Sequence, residues 1–155
     1  MKQTIAQICD RLLALLDSYS WLGPLMLRIF FGYFWFETGL AKLQNHAAFA
    51  ERFMGWGVPF PSFSAALSGA TDLVGGALLI VGLFTRLASI PMIINMVVAI
   101  ALVVIKNVST FDEFVELDEF VYILILFWLL MAGPGKASMD TLLARWLGLH
   151  RPTQV

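Results

Sequence analysis

The sequence predicts an all-α integral membrane protein: a four-helix bundle that crosses the bilayer, with an amphipathic interfacial helix at each end. Three observations predict it. Hydrophobic residues make up 59% of the chain and charged residues 14%, against roughly 45–50% and about 25% in soluble domains. The excess is gathered into runs over residues 22–42, 64–84, 87–105 and 117–134, and about 20 helical residues rise by ~30 Å, the thickness of the hydrocarbon core. The basic residues between runs are unequally shared. With four spans, Lys2, Arg11, Arg86, Lys136, Arg145 and Arg151 fall on the side of both termini, while Lys42, Arg52 and Lys106 fall opposite with the acidic group Asp112, Glu113, Glu116, Asp118 and Glu119. That bias places both termini in the cytoplasm.

The elements follow in order, within a single domain over residues 1–155. Residues 3–19 put Ile5, Ile8, Cys9, Leu12, Leu15, Leu16 and Tyr19 on one face of a helix, suited either to the membrane surface or to packing under the bundle. Asp10, Arg11 and Asp17 interrupt any signal-peptide core, so the first apolar run is expected to be retained. Residues 22–42 form a span carrying Arg28 and Glu37. The connection 43–62 holds Phe49, Phe53 and Met54 at the spacing of a short surface helix, then Gly55-Trp56-Gly57-Val58-Pro59-Phe60-Pro61, a segment placed to cap the outer mouth. Thr85-Arg86 is a tight turn that pairs spans two and three as an antiparallel hairpin. The fourth span, 117–134, has only 14 uninterrupted residues from Phe120 to Gly133 and is stopped by Gly133-Pro134-Gly135. Ser138 is placed to cap a last interfacial helix over 138–148.

Composition removes several function classes. The net charge is −1 and no basic stripe is present, so no nucleic-acid partner is expected. Cys9 is the only cysteine, and His46 and His150, the only histidines, lie outside the apolar runs. No metal site, haem or iron–sulfur centre is therefore expected. No catalytic residue is assigned, and an accessory subunit fits better than a self-sufficient enzyme.

Ionisable groups inside a membrane are costly and ask for partners. Counting 1.5 Å per residue from the inner face puts Arg28 at ~9 Å, Asn95 at ~12 Å, Asp72 at ~18 Å and Glu37 at ~23 Å. An intramembrane network of Arg28, Asp72 and Asn95 is expected, either as a structural salt bridge or as a polar ligand site. Arg28 has a further alternative, snorkelling to the headgroups. Glu37, with Tyr33 and Lys42, is either satisfied at the outer interface or forms a proton or ligand site. Gly69, Gly75 and Gly76, with Ala65, give the second span a small-residue face for close helix packing; a ligand groove is the alternative use. The aromatics Phe30, Phe31, Tyr33, Phe34, Trp35 and Phe36 either pack as core and face lipid or form a slot for a flat, isoprenoid-tailed molecule such as a quinone.

In order along the chain stand Arg28, Gly32, Gly39-x-x-Lys42, Val58-Pro59-x-Pro61, Asp72-x-x-Gly75-Gly76, Gly82-Leu83-x-Thr85-Arg86 and Gly133-x-Gly135. Together, over about residues 22–140, they resemble the DoxX family of small bacterial membrane proteins. Asp72 stands where that family usually carries glutamate, and Glu37 has no counterpart in the pattern. The resemblance implies a four-span protein of the bacterial inner (cytoplasmic) membrane. It also implies a membrane subunit of a redox or detoxification system, since relatives are named as subunits of membrane redox complexes, including a thiosulfate–quinone system. The expected ligand is a quinone-like molecule or a lipid, and the expected partners are the bilayer and other membrane or redox-complex proteins. The second implied role is a non-catalytic assembly or maturation partner, for example for copper-binding modified peptides. A small transporter is disfavoured, because charges fall in the first half only and no internal repeat is visible. The family has no settled catalytic residues to carry over, and the sequence leaves the oligomeric state open.

Overall fold

The computed structural model describes residues 2–148, with side chains from residue 7 onward; His150 and Arg151 lie outside them, as does the side chain of Lys2. Among the described residues the chain is all helical, with no strand. Its helices are α1 (Lys2–Tyr19), α2 (Leu22–Gln44), α3 (His46–Gly55), α4 (Pro61–Val81), α5 (Thr85–Leu102), α6 (Phe111–Val115), α7 (Asp118–Ala132) and α8 (Met139–Trp146). A 3-10 turn, Val104–Asn107, follows α5.

Local chemistry sets the boundaries. The helix expected over 64–84 is displaced to Pro61–Val81, because Pro61 supplies a preorganised first helical residue and Gly82, at φ 71°, ends the helix left-handed. The 3-10 turn and α6 were not expected. A capping box starts α6: Thr110 Oγ1 accepts from the Glu113 N–H while the Glu113 side chain reaches back to the Thr110 N–H. Ser138 caps α8 by accepting from the Thr141 N–H.

By length and composition, α4 and α5 are apolar enough to cross a membrane. Helix α2, 23 residues long, has the length but contains Arg28, Glu37 and Lys42. Helix α7 has 15 residues, a rise of ~22 Å.

Helices α2 and α4 run antiparallel at close range because glycines meet across them. A Cβ on Gly39 would overlap the Leu73 backbone nitrogen, and one on Gly76 would lie 2.6 Å from the Gly32 carbonyl oxygen. Of the glycines expected at a helix interface, Gly69 and Gly76 face α2, while Gly75 faces α5, where a Cβ would come within 2.5 Å of Met92 Sδ. Gly39→Ala is expected to lower stability by about 1–3 kcal/mol through overpacking. Gly23→Ala, with nothing within 4 Å of its added carbon, should stay within about 0.5 kcal/mol. Thermal unfolding of both variants in detergent checks the pair.

The core joins four helices: Phe31 and Trp35 of α2, Leu79 of α4, Met92 and Met96 of α5, and Leu126 and Leu129 of α7. Outside it the usual polarity is reversed. Arg28 and Asp72 are buried, whereas Phe30 is 65% exposed, Leu87 63% and Phe127 53%. An apolar girdle of this extent is not a surface that water solvates well. Helix α1 leaves Ile8, Leu12, Leu15, Leu16 and Tyr19 exposed, so it is not packed beneath the bundle.

Candidate functional site

Asp72 is the centre of a polar cluster built by three helices. It is fully buried on α4 and accepts from Lys42 Nζ of α2 at 2.6 Å and from Asn95 Nδ2 of α5 at 2.8 Å. Ser68, one helical turn before Asp72, accepts from the same two groups, each at 3.1 Å. The arrangement follows from helix periodicity. Ser68 and Asp72 share a face of α4 at i, i+4, and Lys42 belongs to the stripe of α2 that also carries Arg28, Gly32, Trp35 and Gly39, all four buried. The two charges neutralise one another where Asp72 is fully buried and Lys42 nearly so, and breaking such a pair costs about 3–5 kcal/mol.

Two expected groupings are corrected. Asp72 and Asn95 meet, but Arg28 is not their partner. The glycine contacts set the register: Gly82 lies against Arg28, Gly76 against Gly32 and Phe36, and Gly69 against Lys42. Asp72 therefore faces the turn around Thr38 and Gly39, about ten residues and ~15 Å along α2 from Arg28, beyond the reach of a guanidinium. Arg28 instead closes the opposite end of the bundle. Its guanidinium donates to the carbonyls of Pro134 and, at 2.9 Å, Ala137. It sits where a Cβ on Gly82 would fall, 2.5 Å from one guanidinium nitrogen. Asp140 completes that closure, its backbone N–H donating to the Gly82 carbonyl and its carboxylate accepting from the Phe84 and Thr85 N–H groups. That anchor holds Phe84 in a left-handed conformation, φ 50°, which bulky residues rarely adopt.

The second correction concerns Glu37, Tyr33 and Lys42. Glu37 and Tyr33 lie on the exposed face of α2. Lys42, five residues beyond Glu37 and so turned about 140° from it, points inward to Asp72.

Above the Asp72 cluster lies a cavity of about 540 Å³, within the range of small-molecule sites. Lys42, Ser68 and Asn95 line its polar floor; Leu67, Ile94, Met96 and Leu102 line its sides. One wall is aromatic: the rings of Phe34, Trp35 and Tyr122 stand 5.4 Å apart, centroid to centroid, in each pairing. Phe49 and Phe53 of α3, with Trp56, Val58 and Pro59 beyond it, form the roof. Lys106 Nζ ties that roof to the 3-10 turn after α5 by donating to the Trp56 carbonyl at 3.2 Å, and His46 bonds to the Ser62 carbonyl at 2.9 Å. The Trp35 indole N–H is buried without a partner among the described residues, an unusual state for a group that ordinarily finds an acceptor. Chemically, the cavity suits a flat apolar molecule with one polar end.

The sequence pointed to Phe34 and Trp35 as a possible slot and to the 55–61 segment as a cap. It did not single out Ser68, although its i, i+4 spacing from Asp72 was a usable signal. Tyr122 and the wall it forms with α2 carry no local sequence signal, because the contact depends on where α7 docks.

The family model described as DoxX matches residues 23–105, which include Lys42, Ser68, Asp72 and Asn95. A Mycobacterium tuberculosis protein named as an uncharacterized membrane protein is 30% identical over 138 residues, covering 79% of this chain and 84% of the relative. A Bacillus subtilis protein named "Putative oxidoreductase CatD" is 32% identical over 115 residues, covering 74% and 81%. No solved structure matches the chain.

Proposed function

This chain is a membrane protein of the DoxX family, and from that premise we propose that it is the membrane subunit of a redox or detoxification system, holding a quinone-like molecule or a lipid in the cavity above Asp72. In this reading α2, α4, α5 and α7 all cross the bacterial inner membrane and both termini face the cytoplasm. The apolar girdle supports four spans, since α2 and α7 expose Phe30 and Phe127 as α4 and α5 expose Leu67 and Leu87.

The observation that carries the ligand reading is the pairing of an apolar, aromatic-walled cavity with a charged floor. The space, about 540 Å³ and open to the surface of the bundle, is of the size that small-molecule sites have, which supports an occupant. The oxidoreductase name of the Bacillus relative supports the redox association. The chain's own residues contribute binding and orientation: Lys42 and Asn95 hold a polar head, and the Phe34, Trp35 and Tyr122 rings stack on a flat ring.

Native mass spectrometry of the chain extracted gently from its own membrane tests the reading. A small molecule is expected to be retained by the unaltered protein and lost from Ala99→Trp, which places an indole in the cavity one turn from Asn95. Equal retention by both proteins contradicts the site.

Exposed stripes at the two ends favour the second role, that of an assembly partner. Leu142 and Trp146 of α8 are 62% and 82% exposed, and with the stripe of α1 they offer docking faces. Recovery from native membranes with no associated protein counts against that role.

A further inference from the structure

The hydrogen-bond inventory of the cavity floor specifies more than polarity. An ammonium has three N–H donors; Lys42 uses two of them, on Ser68 and Asp72. An amide has two donors and one acceptor oxygen; Asn95 uses both donors, again on Ser68 and Asp72. Among the described residues, no protein acceptor meets the third Lys42 N–H and no protein donor meets Asn95 Oδ1. The negative carboxylate of Asp72 fixes the orientation of the amide, since the reverse would set oxygen against oxygen. Both residues line the cavity, and both bond to one oxygen, Ser68 Oγ, at 3.1 Å. Their nitrogens are therefore at most about twice that distance apart. The floor presents a free acceptor on Asn95 and free donors on Lys42 and on the Ser68 hydroxyl, all on one bonded cluster.

We infer that this floor recognises a hydroxyl group carried on a flat ring, with the hydroxyl oxygen accepting from Lys42 and its proton donated to Asn95 Oδ1. The inference rests on the cavity being a ligand site and names which form of a ring ligand that site prefers. A ring carbonyl can accept from the donors but has no proton to give, and leaves Asn95 Oδ1 without a donor. A hydroxyl satisfies both. A ring ether accepts from Lys42 but has no proton to give, so it shares the defect of the carbonyl. The aromatic wall of Phe34, Trp35 and Tyr122 selects a ring over an aliphatic alcohol, because aromatic rings pair favourably in edge-to-face and offset geometries. Losing one hydrogen bond in a desolvated site corresponds to about a tenfold change in affinity.

The test is equilibrium dialysis of the purified full chain in detergent under anaerobic conditions. The probes are a short-chain benzoquinone, its hydroquinone, the dimethyl ether of that hydroquinone, and decanol. The hydroquinone is expected to bind about tenfold more tightly than the quinone, the ether or the alcohol. In Asn95→Ala the ratio of hydroquinone to quinone affinity should collapse from about ten to about one. The ratio in the unaltered protein stands as evidence even if Asn95→Ala fails to fold. Equal affinity for hydroquinone and quinone overturns the hydroxyl preference while leaving the cavity a ligand site. Decanol binding as tightly as hydroquinone overturns the assignment of a ring. Failure of every probe to bind overturns the cavity reading and this inference together.

Discussion

Asp72→Ala is expected to destabilise the folded chain by about 3–5 kcal/mol, because it leaves the largely buried Lys42 ammonium uncompensated. The effect does not come from lost packing volume, since Asp72 and alanine differ by few atoms. It comes from the environment of Lys42, whose side chain is 14% exposed and whose only anionic partner among the described residues is Asp72. The double variant Lys42→Met, Asp72→Leu removes both charges together and should recover most of the loss, as apolar replacements of buried pairs often do. The same double variant should weaken ligand retention, because the free Lys42 donor at the floor of the cavity is gone. Thermal unfolding in detergent, read beside native mass spectrometry, separates the two consequences. A double variant as unstable as Asp72→Ala would show that the cluster is needed for folding in some way other than charge balance.

Arg28→Ala is expected to cost a similar amount, about 3–5 kcal/mol, for a different reason. Two charge-assisted hydrogen bonds of about 1.5–3 kcal/mol each are lost, and the Pro134 and Ala137 carbonyls lose their donor. Those carbonyls belong to the turn that leads from α7 into α8, so the loss is local. The segment around Lys136, which is exposed, should become sensitive to trypsin while the α3 end of the bundle stays protected. Arg28→Lys should not restore protection, because a single ammonium cannot reproduce the planar fork that spans two carbonyls. Cleavage of the tail at an unchanged rate in Arg28→Ala would refute the assigned role.

Most helices were legible in the sequence because their signals are local: the apolar runs, Gly133 at a helix end and Ser138 as a cap each act within a few residues. Pro61 and Gly82 act as locally, yet the second span was expected over 64–84 and its helix runs Pro61–Val81. The partners of the charges were not legible in the same way. A depth counted from each span's own edge put Arg28 and Asp72 about 9 Å apart along the membrane normal, close enough for a long side chain. The actual register is set by backbone contact between Gly32, Gly39, Gly69 and Gly76, and it moves the two groups out of reach. The glycines were visible one helix at a time, but pairing Gly39 with Gly69 across the interface would have delivered Lys42 to Asp72. Arg28 was harder still, since its acceptors are main-chain carbonyls of a turn more than 100 residues away, and any residue type supplies a carbonyl. Glu37 drew attention as a charge in an apolar run, yet it lies on the exposed face of α2.

The pairing of Lys42 with Asp72 beneath the cavity is the claim on which the site depends, and a double-mutant cycle measures it directly. Stability is measured for Lys42→Met, Asp72→Leu and their combination, and again for Arg28→Met, Asp72→Leu and theirs. Groups in contact couple by about 0.5–3 kcal/mol, while distant groups add to within about 0.3–0.5 kcal/mol. The structure predicts coupling near the top of that range for Lys42 with Asp72 and additivity for Arg28 with Asp72. The reverse, strong coupling to Arg28 and none to Lys42, would contradict it.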